Sequence, residues 1–267
     1  MNPATRALAR TLGHLGWWRF SPERFQPFNH TVPDRYPWLF SFARETLGDG
    51  SGRRLLSFGC STGDEVFALR RYFPAASIKG IDIHPGAIAE CRRRAQGLLD
   101  LDFATASSPA SEPSGWYDAI FCLAVLCNGR LTTSGAQQSD PILTFAMFER
   151  MIEEFRRCLK PGGLLCLLTT NFRFGDTQAA AEFDVALTVD EGMLAPDVLF
   201  DRNGRLMKGV RYTEVAFVKH GGGHGDSGRS CRDRMIGQQP QAVPAARPTA
   251  PGDLDETVDG LCDPEKQ

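Results

Sequence analysis

No stretch of this 267-residue chain approaches the roughly 18 to 20 consecutive apolar residues that cross a bilayer, and its N-terminus carries no apolar core of a secretory leader. A cytoplasmic protein with no membrane partner is the expectation. An excess of positive charge is missing too. Thirty Lys and Arg face 32 Asp and Glu, a formal net charge of −2, so the chain lacks the basic face that nucleic-acid phosphates call for. The expected partner is therefore a small molecule. None of the eight cysteines forms a C-x-x-C pair, so zinc ligation is not expected and no metal site is assigned. Cys60, Cys122, Cys127, Cys158 and Cys166 fall within or beside apolar elements, which reads as buried thiols in a reducing compartment.

Two phosphate-binding patterns are also absent. The segment Leu55-Leu56-Ser57-Phe58-Gly59-Cys60-Ser61-Thr62-Gly63-Asp64-Glu65 reads as a buried strand, a tight turn and a helix start. A dinucleotide fingerprint would need glycine at 59, 61 and 64, and only Gly59 qualifies. A G-x-x-x-x-G-K loop fails at Asp64, with no lysine following. Acids at a helix start disfavour a pyrophosphate and suit a sulfonium or ammonium group. About 20 residues on, Ile78-Lys79-Gly80-Ile81-Asp82-Ile83 reads as a second strand ending in an acid, the layout of an α/β nucleoside site. Small turn residues let backbone N–H groups approach the ligand, and the acid accepts from ribose hydroxyls.

These residues resemble motif I of the class I S-adenosylmethionine-dependent methyltransferases. Gly59, Ser61 and Gly63 stand at that motif's glycine positions and Ser57 at its acid. The run from Cys60 to Glu65 is similar to the Cys-Ser-Thr-Gly-Glu-Glu form of the chemotaxis-receptor methyltransferases. Three further segments follow in the family's order. Asp82 matches its ribose-binding acid, Tyr117-Asp118-Ala119-Ile120-Phe121-Cys122-Leu123 its fourth strand, and Leu159-Lys160-Pro161-Gly162-Gly163 its turn into the fifth. The resemblance covers roughly residues 53–170. It implies a Rossmann-like, doubly wound α/β sheet and S-adenosyl-L-methionine as cofactor, bound by Gly59, Cys60, Ser61, Gly63, Asp82, Ile83, Ser107 and Leu123. It further implies methyl transfer by direct in-line displacement to the oxygen or nitrogen of a small acceptor. A protein carboxyl or side-chain methyltransferase of the chemotaxis type, and a non-catalytic cofactor-binding module, are the alternatives.

Around this core, residues 1–52 form an aromatic-rich N-terminal cap or lid, with a helix expected from Pro37 to Leu47 and a stop at Gly48. Strands are expected near 53–58, 77–83, 101–106, 117–123 and 163–170, and helices near 64–73, 86–97 and 142–158. Ile142, Phe145, Phe148, Ile152 and Phe155 form a core-facing stripe on the last helix. Val198-Leu199-Phe200, an Asn203-Gly204 turn and residues 212–220 suggest an antiparallel hairpin closing the sheet, so the methyltransferase-like domain is drawn at 53–220. From 221 to 267 glycines and prolines with few apolar residues read as a disordered tail.

A sulfonium methyl is already electrophilic, so such an enzyme chiefly aligns donor and acceptor in a dry site, and no nucleophile is required. Where a base is needed, His30 and Tyr36 in the polar cluster of the cap, beside Asp34 and Arg35, are the candidates. His84 is expected at the solvent or adenine rim, and Arg92-Arg93-Arg94 as a solvated helix face. Arg173 is a candidate for a substrate carboxylate or for a salt bridge between loops, and residues 128–140 for a mobile wall of the site.

Overall fold

A computed structural model describes residues 25–26, 31, 33–194 and 198–221; His30 and the expected tail beyond 221 lie outside the described residues. The elements in chain order are α1 (Pro37–Leu47), β1 (Arg54–Phe58), α2 (Asp64–Tyr72), β2 (Ser77–Asp82), α3 (Pro85–Arg94), β3 (Leu101–Thr105) and β4 (Tyr117–Leu123). They continue with α4 (Gly129–Thr133), α5 (Phe145–Cys158), β5 (Leu159–Leu168), β6 (Phe183–Thr188) and β7 (Glu214–Lys219). Seven strands form one sheet in the order β3-β2-β1-β4-β5-β7-β6. The pairs from β3 to β5 are parallel, while β7 runs antiparallel to both β5 and β6.

Strand periodicity sorts side chains onto two cores. Leu56, Phe58, Ile120, Cys122, Leu165 and Leu167 pack with α5, whereas the alternate residues Leu55, Ala119, Phe121, Leu164, Cys166 and Leu168 pack with α1, α2 and α3. Both faces are covered, so all seven residues of β4 are buried, and from Ala119 on the strand reads as a continuous apolar run. On α5, Thr144 Oγ1 accepts from Met147 N at 3.2 Å to cap the helix, which buries Phe145, Phe148, Met151, Ile152, Phe155 and Cys158. Each large side chain so buried contributes on the order of 2 kcal/mol. On α1, proline opens the first turn, Leu39, Phe40, Ala43 and Leu47 face inward, and Gly48 at φ 66° ends the helix. Phe40 rests against Phe121 and Tyr72, at centroid distances of 5.9 and 5.6 Å. That contact ties α1 to the central sheet.

Two sheet details differ from the expected ones. The antiparallel strand at the C-terminus is present, but β7 pairs with β6 and β5 instead of with Val198-Leu199-Phe200. That latter segment makes a small turn of its own, in which Phe200 bridges Leu206 and Asp201 accepts from the N–H groups of Asn203 and Arg205. The fifth strand opens at Leu159, ahead of its expected start. Tyr117 pairs with Leu159 and Ala119 with Leu164, so the Pro-Gly-Gly run is bulged out between two paired stretches.

Candidate functional site

The five parallel strands bring their C-terminal ends to one edge, where the segment after β1 makes its turn. Gly59 N and Cys60 N both donate to Ile81 O, at 2.7 and 3.0 Å, and so pin the turn to the end of β2. Gly59, Ser61 and Gly63 take φ of 77°, 51° and 94°. A Cβ on Gly59 would lie 2.3 Å from Val125 Cγ2, so close packing as well as backbone angle demands glycine there. Ser61 holds a left-handed conformation that costs a non-glycine residue about 1 to 2 kcal/mol. Its N–H donates to Asp82 Oδ2 at 2.8 Å, and His84 N donates to Asp82 Oδ1 at 2.7 Å. Asp82 is buried at the tip of β2, so both oxygens are aimed by backbone groups. Ser61 Oγ is buried without a hydrogen-bond partner, a state that costs on the order of 1 to 3 kcal/mol. Backbone strain and an orphaned buried hydroxyl thus coincide on one residue of the turn.

Helix α3 braces this turn from below, through residues expected to face solvent. Arg94 lies 2.8 Å from Asp64 Oδ1, donates to Thr62 O at 2.6 Å, and covers the Phe67 ring at 4.5 Å. Arg92 donates to Phe103 O at 2.6 Å, and Arg93 pairs with Glu90 on its own helix. Successive helix residues point about 100° apart. A run of three arginines thus serves three directions, and all three are exposed, as expected of a solvated face, while two of them also bond back to the chain. His84 Nδ1 accepts from Ala87 N at 3.1 Å and caps α3, a role its place after Asp82 did not reveal. Cys91 Sγ donates to Ser61 O at 3.1 Å.

Beneath the same turn, Ser57 Oγ donates to Glu65 Oε1 at 2.7 Å. Glu65 is half-buried, and burial pushes its carboxyl from 4.5 up to about 7, against the pull of the Ser57 hydroxyl and of Arg35. Asp64, by contrast, is engaged by Arg94, so the two acids at the start of α2 face different partners. A hydrogen bond with Cys91, then burial, raises the Cys60 thiol well above its ordinary range, and burial does the same to Cys122 and Cys166. Such thiols are poor nucleophiles.

The remaining expected residues occupy the same edge. Ile83 is half-buried directly after Asp82, and Ser107 is half-buried just past β3, whose end is tied in by Ala106 N donating to Asp82 O at 3.0 Å. Leu123 is 8% exposed at the end of β4. On the N-terminal side, Phe25 is in the core, and its carbonyl accepts from Asn128 Nδ2 at 2.7 Å in the segment after β4. Tyr36 precedes α1 and is half-buried, with its ring edge-on to Trp38, and Asp34 pairs with Arg71 at 3.1 Å.

Arg173 forms a fork with Asp176 at 2.8 and 2.9 Å, three residues along, so its ion pair lies within its own segment and not between loops. The expected mobile wall at 128–140 contains α4 and is fastened at both ends. Asn171 Oδ1 accepts from Asn128 N at 2.7 Å, and Ser139 N donates to Gly204 O at 2.8 Å. Between the end of β5 and the approach to β7 lies a cavity of about 240 Å³, lined by Leu168, Thr169, Thr170, Leu199, Arg211 and Tyr212 among others. Sequence reasoning missed it because its walls come from segments distant in the chain.

Residues 56–165 match the family model described as a methyltransferase domain. The demethylmenaquinone methyltransferase of Thermus thermophilus is 30% identical over 118 residues, which cover 43% of this chain and 46% of that protein. The ubiquinone biosynthesis O-methyltransferase of Bordetella pertussis is 30% identical over 114 residues, 41% of this chain and 44% of the relative. The trans-aconitate 2-methyltransferase of Methylobacterium nodulans is 36% identical over 73 residues, 27% of each. The chain spans less than half the length of each of these relatives. Residues 56–165, which include the strand-turn-helix site, thus carry a methyltransferase domain of the class I, S-adenosylmethionine-dependent kind.

Proposed function

We propose that this chain transfers a methyl group from S-adenosylmethionine to a small-molecule acceptor. The observation that carries the reading is Ser61, strained and buried, with its N–H on Asp82 and its hydroxyl unpaired in a turn that the family model covers. The polar groups fit a nucleoside without phosphate, since the turn offers the unpaired Ser61 hydroxyl and the Asp82 carboxylate, each oxygen of which keeps a lone pair beyond the bonds from Ser61 N and His84 N. Asp82 would hold the ribose hydroxyls, with Gly59, Cys60, Ser61 and Gly63 as the turn beneath the cofactor and Ile83, Ser107 and Leu123 as its walls. The cofactor supplies an electrophilic methyl on a sulfonium. The protein's share is to align the acceptor and keep out water.

A small acceptor is supported by two facts. All three relatives carry the names of small-molecule methyltransferases, and a concave cavity of about 240 Å³ lies beside the end of β5. The N-terminal segment fits a cap over the site, since Phe25 docks on the segment after β4 and Arg35 acts on Glu65 beneath the turn. Tyr36, at the entry to α1, is the described candidate for contact with the acceptor; His30 remains a candidate from sequence. Incubating the full chain with donor labelled on its methyl group and with the small-molecule fraction of a cell extract tests the reading. A labelled product below about 1 kDa is expected, and label found only in protein would refute the small-acceptor assignment.

A further inference from the structure

Two sulfurs meet under the turn that follows β1. Cys60 belongs to the turn and Cys91 to α3, and their thiols donate to one and the same acceptor, Ser61 O, at 3.8 and 3.1 Å. Both residues are buried and neither is in a disulfide. We propose, resting on the cofactor reading above, that Cys60 and Cys91 form a reversible disulfide under oxidation, and that this link closes the turn to S-adenosylmethionine.

Three observations carry this. First, the two sulfurs converge, and glycines make the room for them. A Cβ on Gly63 would lie 3.1 Å from Cys91 Sγ, and one on Gly80 would lie 2.9 Å from Cys60 Sγ. Second, among the described residues these two thiols are the donors to Ser61 O. A disulfide carries no S–H, so closing it strips that buried carbonyl of both partners. Ser61 is held at φ 51° with its N–H on Asp82 Oδ2. Relaxing it to pair the carbonyl again would take the N–H off the carboxylate that the cofactor reading assigns to the ribose. Third, the two thiols are unequal. The hydrogen bond between them favours the thiolate on Cys91 and disfavours it on Cys60, so Cys91 is the sulfur that meets the oxidant.

The oxidant is hydrogen peroxide. The Cys91 thiolate attacks one peroxide oxygen and the O–O bond breaks; the sulfur becomes a sulfenic acid, and the departing hydroxide takes up the thiol's proton as water. Cys60 sulfur then attacks the sulfenic sulfur, forming the S–S bond, and its own proton leaves with the hydroxyl as a second water. Two thiols have lost two electrons and two protons, and one peroxide has become two waters. Contact with Cys91 supplies by proximity what the Cys60 thiol lacks in nucleophilicity. With the turn closed neither sulfur meets solvent, so oxidation waits on opening of the strained turn. A bound cofactor holds the turn and should slow the reaction, because two events that exclude each other do so reciprocally.

The test treats the full chain with hydrogen peroxide, maps its disulfides by peptide mass spectrometry, and titrates it with S-adenosylhomocysteine by calorimetry before and after. A Cys60–Cys91 link is expected, with affinity lowered at least about tenfold and restored by dithiothreitol. Saturating S-adenosylhomocysteine during the treatment should slow formation of the link. Cys91→Ser keeps a donor for Ser61 O, so the variant should bind within about twofold of the reduced wild type and lose the peroxide sensitivity. Cys60 and Cys91 recovered as free thiols, a mapped link that leaves affinity unchanged, or a reversible loss that persists in Cys91→Ser would each overturn the proposal. The mapped link is read without any ligand. Absence of S-adenosylhomocysteine binding to the reduced chain would therefore overturn the cofactor reading, and with it the closing of the site, while a mapped link would still establish the disulfide.

Discussion

Replacing Glu65 by glutamine should make the unliganded chain more stable at high pH than at low pH, relative to wild type. Between about pH 4.5 and 7 the folded chain keeps a proton on Glu65 that the unfolded chain has already released. Wild-type stability therefore falls as pH rises through that window and levels off above it. A carboxyl held from 4.5 up to about 7 corresponds to about 3 kcal/mol at most. The glutamine side chain would keep the shape and stay neutral, at the cost of a weaker bond from Ser57, about 1 kcal/mol. Urea denaturation followed by circular dichroism at pH 5 and pH 8 reads the difference. The variant should be close to wild type at pH 5 and about 2 kcal/mol more stable at pH 8. A gap that is the same at both pH values would show that Glu65 ionises freely and would refute the account of its burial.

Two further outcomes follow from the packing of the turn. Gly59→Ala should destabilise the chain by about 2 to 4 kcal/mol, since its Cβ would stand 2.3 Å from Val125 Cγ2 at a φ of 77°; adding Val125→Ala should recover the steric share, read by thermal melting. Arg94→Ala, which removes the Asp64 pair and the bond to Thr62 O, should cost about 1 to 2 kcal/mol in denaturant titrations and weaken S-adenosylhomocysteine severalfold; Arg94→Lys should recover little, because one ammonium cannot serve both partners and the Phe67 face.

What was readable in the sequence tracks how directly a residue's role depends on its own backbone. The span of β4 agrees with its apolar run because both faces of a central strand are buried, and α1 agrees from proline to glycine because both ends carry backbone signals. The turn at Gly59, Ser61 and Gly63 and the acid at Asp82 were legible by spacing, and the structure joins them through the Ser61 N–H. By contrast, β6 was missed. It is a short edge strand with most of its side chains at least partly in water, so it shows no apolar run or clean alternation. Roles that depend on where a long side chain reaches were also out of view: Arg94 on the turn, Arg173 on Asp176, and Glu65 on Ser57 each needed a three-dimensional neighbour. Spacing gives the face of an element but not the partner across it.

The central claim is that the edge formed by the Gly59 turn and Asp82 is a cofactor site for S-adenosylmethionine. The most direct test titrates the full wild-type chain with S-adenosylhomocysteine and with NAD, and repeats the first titration on Asp82→Ala. The wild type should bind S-adenosylhomocysteine and not NAD. Losing the carboxylate removes charge-assisted hydrogen bonds of about 1.5 to 3 kcal/mol each, so Asp82→Ala should bind at least about tenfold more weakly. Measurable NAD binding with no heat from S-adenosylhomocysteine, or equal affinity in the wild type and the Asp82→Ala chain, would contradict it.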